Sequence, residues 1–441
     1  MTTLTVQAAE FAKRRARLAS LIGSDSVAVV ATAPVAIRNR DAEYAYRPDS
    51  DFFYLTGFAE PEAVAVFVPG RRQGQFLLFC RERDPEMETW TGRRAGLDGA
   101  REIYGAHDAF PITDIDEILP GLLENKKRIF YALGKDPEID QAMLQWRGEV
   151  QKKSRSGIQA PGELIALDYL LHEMRLFKSP AEISTMRQAA RIAAAAHRRA
   201  MQTCHADMME YQLEAELLHE FVRRGARQPA YESIVGGGAN GCTLHYRENN
   251  DKLEKGNLVL IDAGAEFEYY ASDITRTFPV NGKFSPAQRD AYEVVLAAQL
   301  AAIDKVKPGN HWNDPHDAAV KVLTKGMVEL GLLKGKPQDL IKASAYRRFY
   351  MHRTGHWLGM DVHDVGEYKI DGKWRLLEPG MVMTVEPGLY IPEGSPGVAK
   401  KWWNIGIRIE DDVLVTRTGN EVLSREAPKT IDDIEALMAR Q

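Results

Sequence analysis

The segment Leu258–Phe278, LVLIDAGAEFEYYASDITRTF, contains two aspartates among apolar strand formers. Asp262 follows the apolar run LVLI, which is typical of a buried strand. Asp273 precedes the run ITRTFPV, in which apolar and polar residues alternate as in a strand. The segment therefore predicts two neighbouring strands, each with a carboxylate at one end.

A chain reversal near Phe267-Glu268 would pair these strands as an antiparallel hairpin with Asp262 and Asp273 opposite each other. Residues opposed in this way have Cβ atoms roughly 4.5–5.5 Å apart, and like charges at that distance repel. A shared proton or a bound cation would offset the repulsion. The alternative is two exposed aspartates at strand ends without a common partner. We favour the cation, because the apolar sequence places both aspartates in the interior.

The length and patterning of the chain predict two domains. Its 441 residues exceed what one hydrophobic core usually serves. Strand-like and helix-like stretches alternate over residues 1–174, which predicts a smaller mixed α/β domain. Ser179-Pro180-Ala181-Glu182 then forms a helix start with a capping box. Antiparallel strand patterns dominate the remainder, so residues 175–441 are predicted to form an α+β domain on an antiparallel sheet.

Composition excludes several classes of partner. The net charge of −5 and the pI near 6.2 give no electrostatic reason to expect nucleic acid or an anionic membrane. No run of ~18 apolar residues predicts a membrane span. The three cysteines, Cys80, Cys204 and Cys242, are far apart and form no C-x-x-C pair. They predict reduced thiols and a cytoplasmic protein.

Residues 351–363, MHRTGHWLGMDVH, contain three of the eleven histidines. His352 and His356 are four apart, as in helical zinc pairs, but no glutamate follows His352 and Gly355 interrupts a helix. We therefore expect one histidine to be a metal ligand and the others, including His363, to contact a substrate.

Two glutamates complete the candidate set. Glu386 ends a strand at a Pro-Gly turn, where it is either a ligand or a solvent-facing strand terminus. Glu410 shares a strand face with Arg408, which indicates either an exposed ion pair or, if both faces are buried, a functional carboxylate.

Two aspartates, two glutamates and one histidine carry four negative charges, which would neutralise two divalent cations. A pair of cations ~3.5–4 Å apart lowers the pKa of a bridging water and polarises a carbonyl. The oxygen-rich donor set suits Mn²⁺, with Zn²⁺, Co²⁺ and Fe²⁺ as alternatives.

Four further segments resemble the metallopeptidases of the pita-bread fold, a family that includes methionine aminopeptidase, prolidase and aminopeptidase P. They are IDAGAEFEYYASDITRTFPVNGKF, HWLGMDVHDVG, LEPGMVMTVEPGLYI and GIRIEDDVLVT. Upstream, DAEYAYRPDSDFFYLTGF and HEMRLFKSPAEI resemble the bacterial Xaa-Pro aminopeptidase (aminopeptidase P) subgroup. The resemblance implies a pita-bread catalytic domain on a curved antiparallel sheet.

The roles of the family's functional residues can be assigned to the matching positions in these motifs. The resemblance implies metal ligands at Asp262, Asp273, His356, Glu386 and Glu410, with Asp273 and Glu410 shared between two ions. It implies catalytic roles for Glu386, His245 and His363, and a proline pocket lined by His352, Tyr390 and Arg408. One departure is Arg353-Thr354-Gly355, where close relatives often carry smaller or uncharged residues.

The implied activity is hydrolysis of the bond between an N-terminal residue and a following proline by a metal-bridged hydroxide. A bond to proline has no N–H, and this attack needs only an open face of the carbonyl. Prolidase activity on Xaa-Pro dipeptides and a non-catalytic binding role are the alternatives. The subgroup implies a homodimer or homotetramer.

Overall fold

Two folding units divide the chain between Arg175 and Leu176. The structure, a computed structural model, describes residues 6–439. The predicted boundary between residues 174 and 175 lies one residue from this division. Each unit is described by itself.

The first unit is a mixed α/β structure, as its alternating pattern predicted. Its helices are α1 (Ala8–Ile22), α2 (Ser50–Thr56), α3 (Pro85–Thr91), α4 (Gly96–Glu102), α5 (Ile115–Leu123), α6 (Pro137–Lys152) and α7 (Asp168–Leu176). Its strands are β1 (Ser26–Ala31), β2 (Ile37–Asn39), β3 (Ala42–Glu43), β4 (Val64–Phe67), β5 (Phe76–Cys80), β6 (Asp108–Pro111), β7 (Arg128–Tyr131) and β8 (Glu163–Ala166). Six of these strands form one sheet in the order β6-β5-β4-β1-β7-β8, with both parallel and antiparallel neighbours.

Helix α6 shows how local sequence sets an element in this unit. Asp136 accepts the backbone N–H of Glu138, and Pro137 occupies the first turn, where its missing N–H costs nothing. The helix continues to Lys152, and its last turns bury Val150 in the core of the sheet.

The second unit combines helices with small antiparallel sheets. Its helices are α8 (Pro180–Thr203), α9 (Glu210–Arg223), α10 (Pro286–Ile303), α11 (Asp314–Glu329), α12 (Pro337–Lys342) and α13 (Ile431–Met438). Its strands are β9 (Gln228–Pro229), β10 (Ile234–Gly237), β11 (Leu258–Asp262), β12 (Ala265–Phe267), β13 (Tyr270–Ala271), β14 (Thr275–Pro279), β15 (Lys369–Ile370), β16 (Lys373–Trp374), β17 (Val382–Val385), β18 (Gly388–Ile391), β19 (Ile405–Arg408), β20 (Asp411–Val415) and β21 (Asn420–Val422). This is the α+β organisation that the strand patterns predicted.

Helix α8 begins as the sequence predicted. Ser179 accepts the backbone N–H of Glu182, and the Glu182 carboxylate accepts that of Ser179. Small alanines along α8 are buried, including Ala189, Ala193 and Ala196. The helix therefore packs closely against strands β12 and β13.

The hairpin at residues 258–279 forms, but its register differs from the prediction. Strands β11 and β14 are antiparallel, and Asp262 pairs with Thr275 rather than with Asp273. The reversal is at Glu268-Tyr269, where both residues have positive φ angles of 49° and 67°. This tight turn fixes a pairing two residues away from the one expected.

Two other antiparallel pairs carry the predicted glutamates. Strand β17 pairs with β20, and β18 pairs with β19. Glu386 lies between β17 and β18, and Glu410 lies between β19 and β20. No helix within residues 6–439 is long and apolar enough to span a bilayer.

Candidate active site

A cavity of about 630 Å³ in the second unit contains nearly all the predicted site residues. Its lining includes His245, Asp262, Asp273, His352, His356, His363, Glu386, Arg408 and Glu410. Tyr390 does not line the cavity, but its hydroxyl lies 2.9 Å from His352 Nε2 and accepts a hydrogen bond from Arg408 at 3.0 Å. The fold therefore brings together residues that are up to 165 positions apart in the sequence, from His245 to Glu410.

Three of the predicted ligands lie close enough to share one ion. Asp273, His356 and Glu410 each offer an atom within 4.8 Å of the other two. His356 Nε2 lies 3.4 Å from Asp273 Oδ2 and 3.8 Å from Glu386 Oε1. The backbone segments that carry these side chains thus converge on one point.

The tautomer of His356 follows from its partner. Its Nδ1 lies 2.9 Å from the carbonyl oxygen of Trp357, which only accepts hydrogen bonds. Nδ1 is therefore the donor, and the Nε2 lone pair faces the carboxylates. Ligating histidines in proteins are commonly oriented by such a bond to a backbone carbonyl.

The backbone around His356 is fixed by strand β17. Thr384 donates its N–H to the carbonyl of His356 at 3.0 Å, and its hydroxyl oxygen accepts the His356 N–H at 3.1 Å. A Cβ at Gly355 would overlap the carbonyl oxygen of Thr384. Gly355, which disfavoured a helix in the sequence, is thus the residue that allows the loop to approach Thr384 closely. Glu386 is held from the same loop, because its N–H donates to Thr354 at 2.8 Å.

Glu410 and Arg408 are both buried, with only 2% and 3% of their surface exposed. The alternative of an exposed ion pair is therefore excluded. Arg408 pairs with Asp262 at 2.6 Å, and its Nε donates to the Thr275 hydroxyl at 3.1 Å. Thr275 in turn donates to Glu410 at 2.5 Å.

The carboxylates repel one another strongly. Burial, and then the Asp262 carboxylate, raise the pKa of Asp273 well above its usual range. Burial and the Asp273 carboxylate do the same to the pKa of Glu410. Burial and the Glu410 carboxylate raise the pKa of Glu386 to about 8. This donor set of four carboxylates and one imidazole lone pair fits hard divalent cations, which would relieve the repulsion.

Two histidines beside the acidic cluster, His352 and His363, are held neutral. Burial, and then the charge of Arg408, lower the pKa of His352 to about 3. Burial and the neighbouring His356 lower the pKa of His363. The rings of His356 and His363 meet edge to face, with centroids 4.4 Å apart.

Tyr231 is a site residue that sequence reasoning missed. Its hydroxyl lies 2.6 Å from Asp262 Oδ1 and 2.5 Å from Asp273 Oδ1. Burial and the two carboxylates raise its pKa well above the usual value, so the phenol stays a donor. Tyr231 is 31 positions from Asp262 and 42 from Asp273, too far for a local sequence pattern to connect them. Only the pairing of Ile234 with Asp262 brings it there, so the sequence held no local sign of this role.

A second acidic cluster lies in the first unit, where the sequence showed none. Asp51, Asp168 and His172 offer atoms within 4.8 Å of one another. Asp51 is already paired with the buried Arg175 at 2.8 Å, and this guanidinium holds its pKa low against the effect of burial. The carboxylate is thus neutralised without a cation, unlike those of the second unit.

Comparison with known proteins decides the family. Residues 184–417 match metallopeptidase family M24, and residues 11–131 match the aminopeptidase P N-terminal domain. This chain belongs to metallopeptidase family M24. The M24 match covers strands β11 to β20 and all five predicted ligands.

Relatives within the M24 family resemble the chain over its full length. It is 46% identical to the Xaa-Pro aminopeptidase of Escherichia coli (strain K12) over 97% of both chains. It is similar to the structure of Pseudomonas aeruginosa aminopeptidase PepP, with a TM-score of 0.98, 57% identity and coverage of 100% of this chain and 99% of that one. It also resembles a zinc-substituted E. coli aminopeptidase P in complex with product, with a TM-score of 0.96, 46% identity and 99% coverage of both chains.

These matches confirm the predicted fold and enzyme class. The chain has the pita-bread fold of M24 preceded by an aminopeptidase P N-terminal domain, and it belongs with the metal-dependent Xaa-Pro aminopeptidases. As a metallopeptidase of this family it is a hydrolase that uses divalent metal.

Proposed function

We propose that the protein removes the N-terminal residue from peptides with proline at the second position, with two Mn²⁺ ions held in the cavity of the second unit. The observation that carries the proposal is the convergence of Asp262, Asp273, His356, Glu386 and Glu410 on one buried site. Residues 175–441 would be the catalytic domain and residues 1–174 the N-terminal domain.

The ligand assignment follows the family resemblance. Asp273 and Glu410 would serve both ions, and their close approach, with donor atoms within 4.8 Å of each other, supports this. Asp262 would bind one ion, and His356 and Glu386 the other, since His356 Nε2 lies 3.8 Å from Glu386 Oε1. Bound divalent cations lower the pKa of water and polarise a carbonyl.

Glu386 is the residue that we propose transfers the proton during cleavage. Its Oε2 lies 3.7 Å from His352 Nδ1, and its Oε1 accepts a weak hydrogen bond from the Thr384 hydroxyl at 3.4 Å. We propose that it takes a proton from the attacking water and passes it to the leaving proline nitrogen. Because that nitrogen has no hydrogen before cleavage, it must gain one to leave as a secondary amine.

The remaining residues would position the peptide. His245 and His363 line the cavity beside the ligands and would donate hydrogen bonds to the oxyanion. His352, Tyr390 and Arg408 form one hydrogen-bonded group next to Glu386, which we propose as the pocket for the proline ring. The fixed rings and guanidinium would hold the scissile bond without rearrangement.

Cleavage of a length series of proline peptides tests the proposal. Apo-protein is reconstituted with Mn²⁺, Zn²⁺ or Co²⁺, and hydrolysis of Ala-Pro, Ala-Pro-Gln and Ala-Pro-Gln-Gln is followed by mass spectrometry. We expect Mn²⁺-dependent release of alanine from the two longer peptides. Cleavage of the dipeptide alone would instead establish prolidase activity.

Oligomerisation and a cytoplasmic location complete the proposal. Trp90 is 80% exposed on the first unit, so its indole is accessible to a partner chain. We propose a homodimer or homotetramer that buries this indole. Light scattering of Trp90→Ser is expected to show a smaller assembly than the native chain. Cys80, Cys204 and Cys242 form no disulfide among the described residues, which supports a reducing compartment.

A further inference from the structure

Arg353 is the residue at which the sequence departs from the expected pattern, and it is one of the residues that line the active-site cavity. Its guanidinium carbon lies 5.3 Å from the ring centre of Trp312 and 5.1 Å from that of Trp374. The two indoles are themselves stacked, with centroids 5.4 Å apart. Arg353 also donates a hydrogen bond to Asn313 Oδ1. An exposed arginine is thus held in one place by aromatic surface and one amide.

A second cation is held on the same indole. Lys369 lies with its Nζ 4.3 Å from the ring centre of Trp374. The two residues pair directly across the β15–β16 hairpin, so the lysine is fixed by the fold. Two positive charges, those of Arg353 and Lys369, therefore lie against Trp374.

These charges are not neutralised by the protein. Among residues 6–439, no carboxylate forms an ion pair with Arg353 or Lys369, whereas Arg247 and Arg408, which also line the cavity, each have an acidic partner. Aromatic faces attract a cation but leave its N–H donors unused. The planar guanidinium retains donors in the geometry that matches a carboxylate.

The position of Arg353 relative to the proposed proline pocket identifies the ligand. Its carbonyl oxygen lies 2.7 Å from Nδ1 of His352, and His352 contacts Tyr390 in that pocket. A substrate chain that continues past proline therefore leaves the pocket beside Arg353. We propose that Arg353 is a specificity-determining residue that binds a peptide carboxylate on the C-terminal side of proline. The carboxylate belongs either to an acidic side chain of the third residue or to the C-terminus of a short peptide. This inference rests on the proposed function.

Matched peptides separate the two sources of the carboxylate. Ala-Pro-Glu-NH₂, Ala-Pro-Gln-NH₂ and Ala-Pro-Lys-NH₂ differ in side-chain charge without a C-terminal charge. Ala-Pro-Gln as free acid, compared with its amide, isolates the terminal carboxylate. For the manganese-loaded wild type we expect kcat/KM about fivefold higher for whichever carboxylate is bound, as for a partly exposed ion pair. The preference is expected to fall towards unity in ~1 M NaCl.

Charge reversal tests the residue directly. Arg353→Glu is expected to favour the lysine peptide over the glutamate peptide, and Arg353→Lys is expected to keep the wild-type order with a smaller ratio. Arg198→Gln, which removes an exposed arginine on α8 away from the cavity, is the control and is expected to keep the wild-type ratios. All ratios are taken within one variant, so a change in its total activity does not affect them.

Three results would overturn the inference. Equal kcat/KM for all peptides in the wild type excludes a carboxylate subsite, whatever the variants do. A preference for carboxylate that survives in Arg353→Glu assigns the subsite to another residue. Either result leaves the proposed function intact, because the proline peptides are still cleaved. Failure of the wild type to cleave any of them removes both proposals.

Discussion

The hydroxyl of Tyr231 lies 2.6 Å from Oδ1 of Asp262, and the same oxygen lies 2.5 Å from Oδ1 of Asp273. A phenol has one hydrogen to donate, so the two carboxylates share a single donor placed between them. Tyr231 therefore fixes the spacing of the first two proposed ligands before any metal binds.

Removing this hydroxyl is expected to weaken metal binding. In Tyr231→Phe the aspartates lose their common donor, and the affinity for Mn²⁺ should fall by about tenfold, as is typical for partners that orient ligands. Isothermal titration of the apo-protein measures the change. Tyr169→Phe, at a tyrosine that is 60% exposed in the first unit, serves as control. Unchanged affinity in Tyr231→Phe would show that the carboxylates are positioned without it.

Thr354 holds the loop that carries His352 and His356. Its buried hydroxyl lies 2.9 Å from His316 Nδ1 and 2.6 Å from the Tyr350 hydroxyl. Thr354→Val keeps the shape but leaves both partners unsatisfied, which should cost about 1–3 kcal/mol of stability. Thr354→Ser keeps the hydroxyl and is expected to stay close to wild type. Urea midpoints compare the two variants, and equal midpoints would contradict the prediction.

A buried ion pair stabilises the strand that follows Glu410. Arg276 and Asp411 are 2.7 Å apart with both side chains fully buried, and Lys429 adds a second contact to Asp411 at 2.6 Å. Asp411→Asn leaves the buried guanidinium without its counter-charge and should cost about 3–5 kcal/mol. Chemical denaturation measures the loss. Asp98→Asn breaks an exposed pair and is expected to change stability little. Comparable effects of the two substitutions would refute the assignment.

His197 should make the second unit sensitive to mild acid. It is fully buried, its Nε2 donates to the carbonyl of Ala263 at 3.0 Å, and burial lowers its pKa from 6.5 to about 4. The unfolded chain therefore binds a proton near pH 6.5 that the folded chain does not, so stability is complete above that pH and is lost as pH falls towards 4.

The size of this loss follows from the two pKa values. Between pH 7.5 and pH 5.0 the histidine should account for about 2 kcal/mol. His197→Gln cannot titrate, so its stability is expected to fall less than that of the wild type over the same interval. Urea unfolding at both pH values gives the difference. Parallel losses in the two proteins would show that His197 does not cause the acid sensitivity.

The sequence was sufficient to predict the elements but not their register. The apolar run before Asp262 and the alternation after Asp273 marked both strands correctly. The turn at Glu268-Tyr269 lacks the Asn-Gly or Asp-Gly pair that usually announces two positive φ angles. Without that sign the pairing was placed two residues away from the observed one.

Site residues were predictable where a motif carried them. The carboxylates were recognisable because burying a charged residue beside an apolar strand is costly unless it has a partner. The histidines were recognisable because three of them lie within residues 351–363. Tyr231 gave no such sign, since a tyrosine beside a strand is ordinary. The stacking of Arg353 on Trp312 and Trp374 was equally hidden, because it joins segments 41 and 21 positions away.

Metal content of the wild type and of Asp273→Ala, measured together with cleavage of Ala-Pro-Gln, tests the central claim most directly. Mass spectrometry of metals after gel filtration is expected to find two Mn²⁺ per wild-type chain and activity that disappears with complete chelation. Asp273→Ala should lose both ions and the activity, because this carboxylate is proposed to serve both. Full occupancy in Asp273→Ala, or undiminished cleavage by metal-free wild type, would contradict the account.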